Sequence, residues 1–274
     1  MKYNTFCKNL LDSGASLRTF QDFTYTPTES CPFSVSPDQL EGKKTVMLRH
    51  DVDHSPVLAH EMACVEAAFG IHSTYFILTT DGANKWWSNK ELRKDYLGLI
   101  VEMQNMGHEI GLHYDFFGDY FSGGIDPKAN IDHILGAFRD AGLKIVGCAS
   151  HGSGRMRELL GAVGQTPYPV DYVNYRIWEE CGAERKELSA GGRTLVTPAM
   201  SLKDYGLCYE TYWVTRDWYF SDSGGNFWQS GHSGHIFENL DQANLAPHEA
   251  VPLMQEGEVM QILAHPIWWK DKFR

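Results

Sequence analysis

An apolar run that ends in charged residues decides the fold of this chain: Thr45-Val46-Met47-Leu48-Arg49-His50-Asp51-Val52-Asp53. The apolar residues at its start are typical of a buried strand, and the polar residues mark the strand's carboxyl end. Ser55 and Pro56 follow at once. A serine N-cap before a proline at the first helical position predicts a helix that runs to about Gly70. A buried strand followed directly by a helix is the repeating unit of an α/β protein.

The same alternation continues along the chain. Strands are predicted over residues 73–79, 108–113, 144–151 and 259–265, with vaguer ones near 172–177 and 209–219, and helices over 91–106 and 126–142. Apolar strands separated by helices pair in parallel, and right-handed crossovers wind them into a barrel or an open sheet. Polar residues stand at the carboxyl ends of several strands, and a barrel gathers those ends round one mouth. We therefore expect a mainly parallel barrel formed by a single domain, residues 1–274, with residues 1–44 as an irregular lead-in.

The composition excludes several classes of protein. The chain has 274 residues, of which 43% are hydrophobic and 22% charged, and a net charge of −11. Because it has no basic stripe that would displace counterions, nucleic acid is excluded as a partner. The first residues lack the apolar run of a secretory signal, and no segment approaches the ~18 apolar residues of a membrane span, so we expect a cytoplasmic protein. The six scattered cysteines form no Cys-x-x-Cys pair and are expected to be free thiols.

Two carboxylates, Asp51 and Asp53, mark the end of the first strand. The alternation of side chains along a strand places both on one face, where their charges raise each other's pKa. A divalent cation between them relieves this repulsion and leaves one carboxylate able to act as a base. Arg49 shares the same face and offers an alternative without a metal, a salt-bridged strand end.

Histidines stand at the ends of two further strands. His113 follows Gly107 and Gly111, whose small size would let a ligand or metal approach the backbone. His265 precedes Pro266, which terminates strand pairing. An imidazole with a pKa near neutrality is suited to protonate the leaving group of a cleaved amide or ester. The alternative for each histidine is a buried ring that hydrogen-bonds to the backbone.

Together these segments resemble successive motifs of the polysaccharide deacetylase family, carbohydrate esterase family 4. The matching stretches are Arg49-His50-Asp51-Val52-Asp53-His54, Gly107-His108-Glu109-Ile110-Gly111-Leu112-His113 and Ile262-Leu263-Ala264-His265-Pro266, in the family's order and spacing. The resemblance implies a distorted (β/α)7 barrel that uses a divalent metal to remove N- or O-acetyl groups from sugars. Carried over to this sequence, it makes Asp51 the general base, Asp53 and His113 metal ligands, and His265 the general acid.

The chain departs from the family's pattern at two places. Where the family has a second metal histidine, four residues after the first, this chain has Phe117, which cannot ligate a metal. The family's Arg-x-Pro-Tyr segment is also missing, and Ser150-His151-Gly152-Ser153 stands in its place. Because a catalytic zinc site uses about three protein ligands and an open position, we predict that His151 supplies the third ligand. The alternatives are that His151 contacts a substrate hydroxyl or that it is only a structural residue of the turn.

A later segment, residues 216–225, has the aromatic, acidic and glycine residues of a sugar-binding loop. The segment corresponds to one of the resembling family in which an aspartate orients the acid histidine, so the resemblance makes Asp222 the partner of His265, with Asp217 as the alternative. His235, in a His-Ser-Gly-His stretch, is a further candidate for substrate contact. Tryptophans predicted to be stacking platforms for pyranose rings, with packing as the alternative, are Trp218, Trp228, Trp268 and Trp269.

These residues and the resemblance lead us to expect a metal-dependent hydrolase that removes an acetyl or similar acyl group from an amino-sugar-containing substrate, with zinc as the first choice of metal. A cytoplasmic enzyme would meet a precursor, such as a nucleotide- or lipid-linked sugar for surface polysaccharide or O-antigen. The alternative is a non-catalytic carbohydrate-binding relative that retains the pocket but has lost its metal along with the histidine replaced by Phe117.

Overall fold

A curled parallel sheet forms the centre of the structure, a computed structural model that describes residues 1–29, 31–79, 87–88, 91–92, 94–165, 169–181, 184–225, 228 and 245–273. In chain order the strands of this sheet are β1 (Ser16–Arg18), β2 (Thr45–Val52), β3 (Thr74–Leu78), β4 (Glu109–Tyr114), β5 (Ile145–Ser150), β6 (Tyr209–Glu210), β7 (Trp218–Ser221) and β8 (Val259–Ala264). Seven of them pair in the order β6-β5-β4-β3-β2-β8-β7, and β1 pairs with the start of β2. All of these pairings are parallel. The mainly parallel (β/α) barrel predicted from the sequence is therefore confirmed.

Helices follow most of these strands, and capping residues set where they begin. Their bounds are α1 (Tyr3–Asp12), α2 (Pro37–Leu40), α3 (Pro56–Ala68), α4 (Lys94–Asn105), α5 (Phe116–Gly123), α6 (Pro127–Asp140), α7 (Gly154–Ala162), α8 (Pro247–Ala250) and α9 (Pro266–Trp269). The side chains of Ser55 and Asp126 accept hydrogen bonds from backbone N–H groups in the first turns of α3 and α6, as their sequence predicts. No helix within the described ranges is both long enough and apolar enough to cross a membrane.

Several predicted elements are corrected by the structure. The lead-in of residues 1–44 is not wholly irregular, because it contains α1 and β1. The apolar face of α1 is buried. The polar stretch that follows this helix in the sequence led to the whole segment being predicted as irregular. The strand predicted near residues 172–177 is a pair of short 3-10 helices, and the helix predicted from Glu91 begins at Lys94. A hairpin of Lys186–Ala190 and Arg193–Thr197 was not predicted, and the cysteines are free as expected.

Aromatic rings fill the inside of the barrel below the strand ends. A Cβ atom on Gly111 would lie 2.4 Å from the ring of Phe76, and one on Gly147 would lie 1.9 Å from the ring of Tyr209. The prediction that Gly111 makes room for a ligand is therefore wrong, since the space belongs to Phe76. Phe20 stacks on Tyr209 at 5.5 Å between ring centroids. With this space packed, the open end of the barrel is the one at the carboxyl ends of the strands.

A buried carboxylate, Glu66 on α3, links the outer face of β2 to the neighbouring helices through hydrogen bonds. Its oxygens accept hydrogen bonds from the hydroxyls of Tyr3, Ser73 and Tyr75 and lie 2.7 Å from His50 Nε2. Burial alone would raise the pKa of Glu66, but the neighbouring imidazole of His50 and these hydrogen bonds hold it at about 2. The strand that carries Asp51 and Asp53 is thus tied to α1 and α3 on its outer face.

Candidate active site

The polar side chains at the end of β2 turn to the inside of the barrel. Residues 49, 51 and 53 alternate with His50 and Val52, so strand geometry places the charged side chains on one face. The guanidinium of Arg49 donates two hydrogen bonds to Asp51, of 3.1 and 2.6 Å, and a third of 2.9 Å to Thr211 Oγ1. Arg49 therefore pairs with Asp51, the alternative left open by the sequence, but it does not pair with Asp53.

Asp53, His113 and His151 come together at the mouth of the barrel, as the sequence predicts. One ligand atom from each residue lies within 4.8 Å of the others. His113 Nε2 is 3.3 Å from Asp53 Oδ1, and His151 Nε2 is 3.9 Å from Asp53 Oδ2. His113 Nδ1 lies 2.7 Å from the carbonyl oxygen of Ala149, which accepts a hydrogen bond from it, and Nε2 is turned toward Asp53. One carboxylate and two imidazoles thus converge from three different strands.

The arrangement of these donor atoms fits a divalent ion. Asp53 Oδ1 is buried and has no hydrogen-bond partner among the described residues, although it faces His113 Nε2. Two donors bound to one zinc ion at about 2.0–2.1 Å and a tetrahedral angle are about 3.3 Å apart, the separation seen between these two atoms. A buried carboxylate oxygen without a partner is costly, and a cation ligated by both groups would remove that cost.

Neighbouring charges keep both carboxylates ionised. Burial would raise the pKa of Asp51, but the charges of Arg49 and His113 outweigh it and hold that pKa below its ordinary value. Burial likewise opposes ionisation of Asp53, and the neighbouring imidazoles of His113 and His151, when they are protonated, bring its pKa well below the usual range. The pKa of His151 is lowered by burial and by the nearby His113, which favours the neutral ring that a metal ligand requires.

His265 completes the cluster from the end of β8. Its Nδ1 lies 2.6 Å from Asp222 Oδ1, and its Nε2 lies 3.7 Å from Asp53 Oδ2. Burial lowers the pKa of His265, but the hydrogen bond with Asp222 and the charge of Asp53 more than reverse this and raise it to about 9. The share of this increase that comes from Asp53 would be lost with a cation bound to that carboxylate.

Asp222, which the sequence predicts as the partner of His265, is held rigidly in that position. It is fully buried and accepts hydrogen bonds from the backbone N–H of His265 and from the indole N–H of Trp269 at 3.1 Å. The alternative partner, Asp217, accepts instead from the backbone N–H of Val259 at the other end of β8. Trp269, predicted as a sugar platform, is buried and orients Asp222.

An asparagine that the sequence reasoning missed fixes the loop of His151. Asn174 Nδ2 donates to the carbonyl oxygen of His151 at 2.8 Å and to Asp115 Oδ1 at 3.0 Å. Its Oδ1 accepts from the backbone N–H of Phe117 at 2.9 Å. Asn174 lies in the segment wrongly predicted as a strand, so only its tertiary contacts show its role. Two loops of the site, after His113 and at His151, are joined through this one side chain.

Phe117 is wholly buried and belongs to the core. Its ring lies 6.0 Å from that of Phe121 on the same helix, α5, and it does not line the cavity of the site. The helix begins where Asp115 accepts a hydrogen bond from the N–H of Gly118. The position at which the resembling family carries a histidine is therefore used here for packing. His151, which follows later in the sequence at the end of β5, lies beside Asp53 and His113 instead.

The cluster lies in a cavity of about 250 Å³. Its walls carry Arg49, Asp51, Asp53, His113, His151 and His265, together with hydroxyl groups of Ser150, Thr211, Tyr212, Tyr219 and Ser223. The sequence reasoning did not predict Thr211, Tyr212 or Tyr219, although Tyr219 lies in the segment interpreted as a sugar-binding loop. Hydroxyl groups round a charged centre are suited to a polar ligand with many hydroxyls of its own.

The predicted tryptophan platforms are not in this cavity. Trp218 is buried at the start of β7, opposite the mouth, and donates to Glu258 Oε2. Trp228 is buried and stacks on Phe6 at 5.2 Å. Trp268 keeps 37% of its surface exposed and lies beside Gly225, outside the cavity lining. His235 lies outside the described residues.

Compared with protein families and with curated proteins, the chain matches none of them. The resemblance to polysaccharide deacetylases therefore rests on the motif residues alone and stays a prediction. What the structure adds is the convergence of those motif residues, together with His151, in one cavity.

Proposed function

We propose that this protein is a metal-dependent hydrolase that removes an acetyl or similar acyl group from an amino-sugar-containing substrate. The observation that carries the proposal is the convergence of Asp53, His113 and His151 beside a second carboxylate, Asp51, and a carboxylate-bound imidazole, His265. A metal-binding triad with a base and an acid on either side is the set of groups that hydrolysis of an amide needs.

Asp53, His113 and His151 would hold the metal, with zinc as the first choice. Zinc accepts one carboxylate and two imidazoles as protein ligands and keeps an open position at catalytic sites. The bound ion would act as a Lewis acid toward the acyl carbonyl and lower the pKa of water at the site. The hydrogen bond from His113 Nδ1 to Ala149 orients that ring for its ligand role.

Asp51 is proposed as the general base. Its carboxylate is kept ionised by Arg49 and lies 3.6 Å from His113 Nε2, so it faces the same part of the cavity as the triad. The two hydrogen bonds from Arg49 also fix the plane of the carboxylate. Asp51 is thus oriented to accept a proton from a water that attacks the acyl carbon.

His265 is proposed as the general acid. Asp222 accepts a hydrogen bond from Nδ1, so Nε2 carries the proton that faces the cavity. The hydrogen bond with Asp222, which does not depend on the metal, raises the pKa of this imidazole and favours its protonated form. It would donate that proton to the departing amine, which is too basic to leave as an anion.

The size and lining of the cavity support a sugar as substrate. A volume of about 250 Å³ is below the range of about 300–1,000 Å³ that encloses a drug-sized ligand, so it suits one ring at a time. The rest of a nucleotide- or lipid-linked precursor would extend beyond the mouth. The cytoplasmic location expected from the sequence stays a prediction.

Acetate release tests the proposal. The zinc-loaded protein is expected to release acetate from members of a panel of N-acetylated sugar nucleotides and oligosaccharides, and chelation should abolish this activity. Asp51→Asn keeps the size of the side chain but removes the base, so turnover should fall about 100-fold or more while bound metal stays. Binding of sugars without any acetate release, or full activity of Asp51→Asn, would favour the non-catalytic carbohydrate-binding protein instead.

A further inference from the structure

An aromatic ring that no motif predicted stands at the mouth of the cavity. Tyr212 lines the cavity, yet 51% of its surface is exposed. Its ring stacks on that of Tyr175 at 4.7 Å between centroids and an interplanar angle of 23°. One face is therefore supported by a second ring. An exposed tyrosine held in this way offers a rigid platform for the apolar face of a sugar or for a base.

Beside this platform lies a cation without a carboxylate partner. Arg216 is half-buried, and its Cζ lies 5.8 Å from the ring of Tyr212 and 5.1 Å from that of Tyr219, which also lines the cavity. Its Nη1 donates to the carbonyl oxygen of Tyr212 at 2.9 Å. Its Nε is buried and has no hydrogen-bond partner within the part of the chain that the structure describes.

Two buried or half-buried arginines of this fold have carboxylate partners, whereas Arg176 and Arg193, which are also half-buried, have none among the described residues. Arg49 is paired with Asp51, and Arg155 with Asp115 and Asp119. Among the described residues, Arg216 has no carboxylate at salt-bridge distance. Glu210, a carboxylate whose charge acts on Arg216, already accepts hydrogen bonds from the backbone N–H groups of Ser150 and Tyr212.

A half-buried guanidinium without a counter-charge is costly, particularly since the Nε of Arg216 is buried without a partner. Arg49, which lines the cavity, repels Arg216, whose guanidinium lies beside the rings of two residues of the cavity wall, Tyr212 and Tyr219. An anionic group of a ligand would relieve both effects. Arginine is well suited to this, because its planar donors match the oxygens of a phosphate or a carboxylate.

We propose that Tyr212 and Arg216 form a subsite that binds an anionic part of the substrate, a phosphate or carboxylate attached to a ring that rests on Tyr212. The proposal rests on the proposed function for the identity of the ring, and it makes the substrate an acidic sugar derivative. The acyl group to be removed would then lie in the cavity, and the anionic group would lie at its mouth.

Calorimetric titration of the zinc-loaded protein tests this subsite. The probes are UDP-N-acetylglucosamine and N-acetylglucosamine 1-phosphate for phosphate, N-acetylglucosaminuronic acid for carboxylate, and methyl N-acetylglucosaminide as the neutral comparison. At least one anionic probe is expected to bind about 10-fold or more tightly than the neutral one, because a charge-assisted hydrogen bond is added. Comparison of the phosphate and carboxylate probes shows which anion is bound.

Variants assign that preference to Arg216. Arg216→Gln should reduce the affinity for the anionic probe to that for the neutral one, Arg216→Lys should retain part of the preference, and Tyr212→Ala should weaken both classes of probe. Arg139→Gln is the matched control, because Arg139 also donates to a backbone carbonyl, that of Tyr205, and not to that of Tyr212. It should leave binding of every probe unchanged.

Equal or absent binding of the anionic and neutral probes by the native protein overturns the proposal, as does an equal loss for both classes in Arg216→Gln. Acetate release measured in the same samples separates this result from the proposed function. A preference for the anionic probe that depends on Arg216, without acetate release, would support the subsite and contradict the proposed hydrolase function. Acetate release at a rate that is unaffected by the anionic group and by substitution of Arg216 would support the hydrolase function and contradict the subsite.

Discussion

Substitution of Asn174 by alanine should weaken metal binding although Asn174 does not face the metal. The side chain hydrogen-bonds to the carbonyl oxygen of His151, to Asp115 and to the N–H of Phe117, at 2.8, 3.0 and 2.9 Å. Since the structure buries Asn174 almost completely, its removal leaves the carbonyl oxygen of His151 and the N–H of Phe117 without a bond, while Asp115 keeps that from Gly118. Each unpaired buried group costs about 1–3 kcal/mol, so Asn174→Ala should lose about 3 kcal/mol of unfolding free energy. With an unfolding entropy of about 2.1 cal/mol/K per residue, Tm should fall by about 5 °C.

Metal affinity is the readout that separates positioning from general stability. Loss of an outer partner of a metal ligand typically lowers affinity about 10–100-fold, and we expect that loss for zinc in Asn174→Ala, measured by competition with a chromophoric chelator well below Tm. Asn130→Ala is the matched control, because Asn130 donates a single 3.0 Å hydrogen bond to Asp119 in the same region without contact to His151. It should bind zinc as the native protein does. A destabilised Asn174→Ala protein with unchanged zinc affinity would refute the role given to Asn174 and to the His151 loop.

Two further predictions concern the buried residues round the site. Phe117→His should not raise zinc affinity, because the side chain at position 117 packs against Phe121. It should lower the free energy of unfolding, measured with urea, by about 2 kcal/mol because it buries a polar ring. Tighter zinc binding by this variant would show that position 117 belongs to the site. Glu66, with a folded pKa of about 2 against 4.5 when unfolded, contributes stability above pH 4.5 that is lost as the pH falls toward 2, about 2 kcal/mol of it between pH 7 and pH 3. Glu66→Gln should remove this part of the pH dependence, and an unchanged slope of stability against pH would contradict the assignment.

Local signals were sufficient to predict much of the barrel. The strand 45–52 and its helix follow from an apolar run, a serine cap and a proline, all within a dozen residues. The aspartates 51 and 53 and the three histidines could be placed at the mouth because parallel strands gather their carboxyl ends at one edge. The segment 172–177 misled the prediction, because its aromatic and β-branched residues favour a strand while tertiary hydrogen bonds to Asn174 hold it in 3-10 turns.

The parts of the site that could not be predicted depend on contacts between distant segments. Nothing in the sequence near Tyr212 indicates that this residue lines the cavity or that Arg216 lies beside its ring. The tryptophans were wrongly predicted as sugar platforms, because a large aromatic ring suits both a sugar-binding surface and a core. Only the fold shows that Trp218, Trp228 and Trp269 are buried. The Asp222–His265 pair was predicted from the family resemblance, and the structure shows its physical basis, since one residue follows β7 and the other follows the adjacent β8.

The central claim, that Asp53, His113 and His151 hold a divalent ion, is tested most directly by the zinc content and affinity of the purified protein and of His151→Ala. His60→Ala serves as the control, because His60 is a histidine of α3 that pairs with Glu102 away from the cavity. We predict one zinc ion per chain in the native protein and in His60→Ala, and an affinity lower by about 100-fold or more in His151→Ala, which keeps only two of the three ligands. A native protein that binds no zinc tightly, or a His151→Ala protein that still binds one ion with native affinity, would contradict the account.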